Sequence, residues 1–378
     1  MRILIVKLSS LGDVVHAMPA VQDIRRALPD AQIDWVVERS FAPLVRCCEG
    51  VRRVIECELR RWRKTPFLPD TRAAWQSFCE VLQRESYDAV IDLQGLTKSA
   101  LMARMARLAP GGKRYAMANQ TEGSGYEAPT RWVADVAIKL PKHIHAVARA
   151  RELCRASLNL PVPSEVFYGL LAPMESPPPA IDSEASRLET TNSLKAVTID
   201  TGDLPVLARQ PPPLSETRVK PRPVVALVHG TSRADKEWPR DHWVALGERL
   251  EQAGFAVGLP HGNDAEQWRC EQIATSLHQA QVWPRLGLDA LTTQLSGCAG
   301  VIGVDSGLSH IAVALDLPHV QIYNFDTAWR TGPPAWVAQP NAQSPLPRQC
   351  SVFAQPSPSV AMVWQAWVGL ASPLRTGG

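Results

Sequence analysis

The first twenty residues, MRILIVKLSSLGDVVHAMPA (Met1–Ala20), decide the fold class. A β-rich run over residues 2–7 gives way to Ser9-Ser10-Leu11-Gly12-Asp13, after which Val14, Ala17, Val21 and Ile24 recur on one helical face. An apolar run, a small polar turn and then a period near 3.6 read as strand, tight turn, helix. Pro19 interrupts the helical pattern, so either the helix kinks there or a turn precedes it and Pro19 is its first helical residue.

The same signature recurs along the chain. Ile33–Val37, Val51–Ile55 and Ala89–Leu93 read as further strands of the first half, which a helix around Ile144–Leu160 closes. The alternation restarts with strands at Val224–Val228, Phe255–Leu259, Val301–Val304 and Val320–Tyr323. Helices at His242–Ala253, Ala265–Leu277, Leu288–Leu295 and Leu308–Leu315 lie among them. Strands separated by helices of this length imply parallel sheets covered on both faces, an α/β fold. At roughly 150 residues per domain, 378 residues make two such domains. Ten prolines fall within the 51 residues 173–223, which read as a linker or surface excursion. The expected organisation is a Rossmann-like domain over 1–172, the Pro-rich excursion over 173–222 and a second Rossmann-like domain over 223–345. A tail over 346–378 follows, its Trp-bearing helix (Ser359–Leu370) expected to pack across the domains. Ligands of such sheets sit beyond the C-terminal strand edges, here in the cleft between domains.

Composition narrows the function classes. Hydrophobic residues make up 45% of the chain and charged residues 20%, which is globular rather than disordered. A formal net charge of +3 is too small for a general nucleic-acid binder, so an anionic partner has to be met by a local basic patch. The eight cysteines show neither paired CxxC spacing nor a dense framework, which fits a reducing cytosol. No stretch approaches 18 uninterrupted apolar residues, and Lys7 ends the N-terminal apolar run after four, short of a signal peptide.

Five stretches carry candidate chemistry. Asp13, at a strand-to-helix turn, reads as a helix cap or as a general base. HGTSRADKEWP at 229–239 places two hydroxyls and Lys236 where they suit a diphosphate, with a solvated loop as the plain alternative. GVDSGLSH at 303–310 opens a helix whose first amides make an anion site. RRWRK at 60–64 is a solvated charge run or a patch for an anionic, lipid-linked acceptor. DLQGLTKS at 92–99 is another strand-to-helix turn with polar groups for the cleft. DxD, HExxH, GxSxG and clustered Cys/His ligands are all missing from the sequence, so neither a metal nor a cofactor is expected.

At these residues the chain resembles the lipopolysaccharide heptosyltransferases of glycosyltransferase family 9. The blocks are VKLSSLGDVVHAMPA (6–20), RRWRK (60–64), YDAVIDLQGLTKSA (87–100), HGTSRADKEWP (229–239) and GVDSGLSHIAVALDLP (303–318). They cover roughly 1–170 and 222–330, and five blocks in order are far more specific than any one. The resemblance implies a GT-B fold, two Rossmann-like domains with parallel sheets facing across a cleft, and a metal-independent, inverting transfer. The donor it implies is ADP-L-glycero-β-D-manno-heptose and the acceptor the inner Kdo of Kdo2-lipid A. It makes Asp13 the general base. It places Thr231, Ser232, Lys236, Asp305, Ser306, Gly307 and His310 at the donor, Asp305 on a heptose hydroxyl and His310 on a phosphate. Glu266 would reach the ribose hydroxyls and Leu286 would lie beside the adenine. Lys7, Ser10, Arg60, Arg63 and Lys64 would face the anionic acceptor.

One stretch departs from the family pattern: TEGSGYEAPTR at 121–131 fits poorly where the family tends to place an acceptor-side arginine, with Arg131 as the candidate substitute. The resemblance also implies a monomer held peripherally at the cytoplasmic face of the inner membrane. Against this reading stand a family member with another acceptor, such as an already heptosylated core, a GT-B-like sugar-nucleotide epimerase, and a non-catalytic sugar-nucleotide-binding protein.

Overall fold

A computed structural model describes residues 1–161, 165–172, 222–334 and 348–371. Two six-stranded parallel sheets built on one plan form the molecule. The first holds β1 (Arg2–Val6), β2 (Gln32–Glu38), β3 (Val51–Cys57), β4 (Ser86–Asp92), β5 (Arg107–Met117) and β6 (Val136–Ile138), in the order β3-β2-β1-β4-β5-β6. The second holds β7 (Val224–Val228), β8 (Ala256–Leu259), β9 (Ala280–Val282), β10 (Gly300–Val304), β11 (His319–Tyr323) and β12 (Gln349–Phe353), in the order β12-β11-β10-β7-β8-β9. In each, the chain steps outward for three strands and returns beside its first strand, β1 against β4 and β7 against β10. That reversal leaves a crevice at the C-terminal ends of the paired strands, where doubly wound sheets bind ligands. The expected two-sheet α/β class is therefore what the chain forms.

The central strands show why. Ile3, Leu4, Ile5 and Val6 are all wholly buried, the continuous apolar run that a parallel strand covered on both faces requires. The Leu11–Ala27 helix follows and runs through Pro19 without a break, so a new helix does not start there. Its Val14, Met18 and Val21 share one apolar core with Ile311 and Ala312 of the Gly307–Ala314 helix in the other half. The two helices approach closely at their first turns because neither carries a side chain there. A methyl on Gly12 would stand 2.6 Å from His310 Cδ2, and one on Gly307 would stand 2.6 Å from the Leu11 side chain.

Some elements differ from expectation for identifiable reasons. β5 contains Pro110-Gly111-Gly112, which breaks any sequence signal. The ladder absorbs the interruption as a register shift between Tyr87 and Ala89 of its neighbour. β9 and β12 are sheet-edge strands, β9 only three residues long, with too little pattern to read. The tail helix, Val360–Ala371, was expected across the two domains. Its buried Val363, Trp367 and Leu370 instead enter the core on the outer face of the second sheet, beside Trp243 and Phe255. Trp367 fits there because Gly300 leaves a recess that a methyl would close to 2.5 Å. The expected Pro-rich excursion lies, apart from Arg222, outside the described residues.

Trp367 is 1% exposed. Trp367→Ala should therefore lower the unfolding free energy by about 3–5 kcal/mol, read as a drop in denaturant midpoint at constant m-value. A loss below about 1 kcal/mol would mean that the helix is only draped on the sheet.

Candidate active site at the two switch points

Asp13 occupies the third position of the Leu11–Ala27 helix, at the end of β1. Its Oδ2 accepts from the Ser10 amide at 3.2 Å and the Ser10 hydroxyl at 2.9 Å, so part of the carboxylate caps its own helix. Its Oδ1 lies 3.6 Å from Lys7 Nζ and 3.5 Å from Arg149 Nη2. Burial alone would raise the carboxyl pKa. The Lys7 and Arg149 cations outweigh it and hold Asp13 well below the usual carboxylate range. Cap and candidate base are thus one carboxylate using its two oxygens differently.

Lys7 is not a surface cation facing an acceptor. It is 4% exposed, donates to the Leu93 carbonyl at 3.2 Å, and acts on the site through Asp13. The DLQG turn is likewise a support. Gln94 Oε1 accepts from the Leu8 and Ser9 amides, both at 3.1 Å, while Asp92 accepts from Gln94, Gly95 and Ser99. Burial pushes the Asp92 carboxyl up to about 6, even against those donors.

The second switch point supplies the other wall. Asp305 directly follows β10 and is 6% exposed. Its Oδ2 meets Lys236 Nζ at 2.6 Å, and its Oδ1 has His310 at 3.4 Å, Gln321 at 3.4 Å and Thr331 at 3.3 Å. Burial would raise its pKa, but His310 and Lys236 hold it far below the usual range. The loop carrying Lys236 is fixed from beneath: Asn324 Nδ2 donates to the Asp235 and Glu237 carbonyls, and Trp238 Nε1 to Pro358. Ser306, at the mouth of the Gly307–Ala314 helix, keeps its Oγ buried without a hydrogen-bond partner among the described residues.

Two cavities meet at Ser306 and Gly307. One, about 530 Å³, is lined by Thr231, Ser232, Glu266, Leu286, Ser306 and Gly307 among others, with Ser10 and Gly12 from the first half. The other, about 170 Å³, joins Asp13, His16 and Arg149 of the first half to Ser232, Lys236, Asp305 and His310 of the second. Most of the expected donor-side residues thus share one connected space with Asp13. Arg60 and Lys64 line a separate surface cavity of about 450 Å³, and Arg63 is exposed beside it. Trp62 explains that placement. It is 7% exposed and packs edge-on against Trp75 at 5.3 Å, tethering the basic segment to the outer face of the first sheet. Arg131 is exposed on the short Pro129–Val133 helix and lines none of these spaces.

Sequence reading missed Arg149, His16, His145, Arg330 and Thr331. His16 lies inside the first motif, on the buried face of its helix. The others reach the site only through the tertiary fold. His145 Nδ1 accepts from the Val147 amide and caps the Ala146–Leu158 helix, so its Nε2–H donates to the Gly332 carbonyl of the other half at 3.0 Å. The His16 ring lies 4.2 Å from that of His310.

Burial dominates at four histidines. It holds His145, His229 and His319 at about 4, below the usual 6.5, and pushes His16 well below its usual value too. Between pH 6.5 and 4 the unfolded chain therefore binds more protons than the folded one, and stability is lost as pH falls through that window. Urea titrations from pH 7 to 5 should show unfolding free energy falling by up to about 1.4 kcal/mol per pH unit per histidine. His319→Gln should make the slope shallower by about one proton. A slope unchanged in that variant would contradict a neutral, buried His319.

Comparison with known proteins follows the same geometry. The family model described as glycosyltransferase family 9 (heptosyltransferase) matches residues 75–352. Lipopolysaccharide heptosyltransferase 1 of Escherichia coli K12 is 34% identical over 327 residues, covering 85% of this chain and 88% of that protein. The enzyme of the same name from Pseudomonas aeruginosa is 34% identical over 330 residues, covering 85% and 78%. Among solved structures, the E. coli heptosyltransferase WaaC with ADP superposes with a TM-score of 0.73 at 28% identity, covering all of both chains. With its two matching sheets and its paired switch points, the chain belongs to glycosyltransferase family 9, the heptosyltransferases.

Proposed function

We propose that this glycosyltransferase moves L-glycero-D-manno-heptose from ADP-L-glycero-β-D-manno-heptose to the inner Kdo of Kdo2-lipid A, with inversion, in building the lipopolysaccharide core. The observation that carries the reading is the position of Asp13. Its carboxylate stands in the first half, across a small pocket from the Ser306–Gly307 helix mouth and Lys236 of the second. Inversion in one displacement needs a base on the face of the sugar opposite the leaving group. The first half (1–172) then binds the acceptor and the second (223–345) the donor.

In this reading the 530 Å³ cavity takes the nucleotide, with Glu266 at the ribose and Leu286 beside the adenine. Negative charge building on the departing diphosphate is met by Lys236, by the Thr231 and Ser232 hydroxyls, and by the Ser306 and Gly307 amides at the helix mouth. Asp305 orients the heptose, and His310 turns toward a phosphate. Asp13 takes the proton of the Kdo hydroxyl. That hydroxyl becomes acidic only as its bond to the anomeric carbon forms, so a carboxylate of low pKa suffices if it accepts the proton late.

The basic face supports a peripheral role. Among the described residues no helix is long and apolar enough to cross a membrane. Arg60, Arg63 and Lys64 lie near Phe67, which is 80% exposed, and Leu68, an arrangement suited to a lipid-linked, anionic acceptor at the inner membrane.

Purified enzyme incubated with ADP-heptose should place one heptose on Kdo2-lipid A and show far lower kcat/KM with a core that already carries heptose. Transfer only to the heptosylated core would overturn the acceptor assignment and favour a family member acting at the next step.

A further inference from the structure

The pocket that holds Asp13 contains one cation that the mechanism above leaves without a task. Arg330, in the Ala328–Thr331 helix of the second half, lines that pocket and makes no ion pair or side-chain hydrogen bond among the described residues. Its guanidinium lies over Gly123 of the first half. Gly123 has φ +69° and no side chain, and a methyl there would run into Arg330. The other arginine and lysine of the pocket are engaged: Arg149 lies 3.5 Å from Asp13, and Lys236 lies 2.6 Å from Asp305. Lys7, behind Asp13, is also held by it. Arg330 adds to the positive field at Arg149. After burial, and against the pull of Asp13, it is among the influences that lower the Arg149 pKa. Two guanidiniums close enough to repel are a standing cost to the free protein, and a bound anion removes it.

We propose that Arg330 binds the acceptor, its guanidinium taking the carboxylate of the incoming sugar acid in a bidentate pair. The proposal rests on the transfer reaction set out above. Two features favour the acceptor over the donor diphosphate. The nucleoside-side groups Glu266 and Leu286 line the 530 Å³ cavity, which Arg330 does not line, and the diphosphate already has Lys236, the Thr231 and Ser232 hydroxyls and the helix-mouth amides. An anionic acceptor must also approach the Asp13 carboxylate, whose neighbouring cations are already engaged with it. An uncommitted guanidinium at that place offsets the repulsion and leaves Asp13 ionised. Because Arg330 comes from the donor half and rests on the acceptor half, it couples acceptor binding to the junction of the two.

The test uses Arg330→Gln and Arg330→Lys with two acceptors, Kdo2-lipid A and the same molecule with its inner Kdo carboxylate as the methyl ester. ADP-heptose binding is measured by calorimetry on each protein. Arg330→Gln should lower kcat/KM for the native acceptor about 10- to 100-fold, with partial recovery in Arg330→Lys and an unchanged donor Kd. The ester should be a poor substrate for wild type and no poorer for Arg330→Gln. An ester penalty as large in the variant as in wild type would overturn the proposal, because the carboxylate then binds elsewhere. So would a raised donor Kd with normal acceptor KM, which assigns the guanidinium to the diphosphate, and so would wild-type transfer rates in Arg330→Gln. Wild-type protein that binds ADP-heptose but transfers nothing to Kdo2-lipid A would overturn the acceptor assignment itself, and the carboxylate pairing with it.

Discussion

The contact between the first turns of the Leu11–Ala27 and Gly307–Ala314 helices sets the geometry of everything around it. Each helix begins at the switch point of its sheet, so each brings a strand end, a carboxylate and free amides to the same place. A side chain on Gly12 or Gly307 would crowd those turns, since His310 and Leu11 stand 2.6 Å from where its Cβ would sit and one or the other must shift. One apolar core then runs from the first sheet through both helices into the second. The candidate active-site pocket is the polar rim of that core, and its shape follows from the packing beneath it.

Charge is arranged in matching fashion on the two walls. Asp13 is flanked by Lys7 and Arg149, and Asp305 by Lys236 and the His310 ring; in both, these neighbours outweigh burial and keep the carboxylate ionised. Asp92 also feels Lys7 but is ringed by its own turn, and goes the other way because burial wins there. Carboxylates whose surroundings push their pKa values apart take different roles. Asp92 shapes the turn that supports Ser9 and Leu8, while Asp13 stays charged and faces the substrate space.

Much of this was legible in the chain because it is local. A strand, a small polar turn and an amphipathic helix appear together in MRILIVKLSSLGDVVHAMPA, and the turn at 303–310 repeats the message. The residues of those turns are therefore found from sequence, and the structure brings Asp13, Ser306, Gly307 and Lys236 to one pocket. Arg149, His145 and Arg330 left no such trace. They come from separate helices and loops, and only the pairing of the two sheets makes them neighbours. RRWRK shows the converse limit. Its charges were plain, but the direction of Trp62 into a core with Trp75 and Phe78 decides that the cations face outward, away from the central pocket. Pro110-Gly111-Gly112 hid a strand whose ladder simply shifts register around them.

The central claim is that the Asp13 carboxylate acts as the base and is more than a cap for its helix. Asparagine keeps an oxygen able to accept from Ser10, so Asp13→Asn separates the two roles. The decisive measurement is heptose transfer from ADP-heptose to Kdo2-lipid A by wild type and Asp13→Asn, with donor binding followed by calorimetry. The account predicts a loss of about 10²- to 10⁴-fold in kcat with ADP-heptose affinity retained. Transfer by Asp13→Asn at the wild-type rate would contradict it and reduce Asp13 to the cap its Oδ2 already provides.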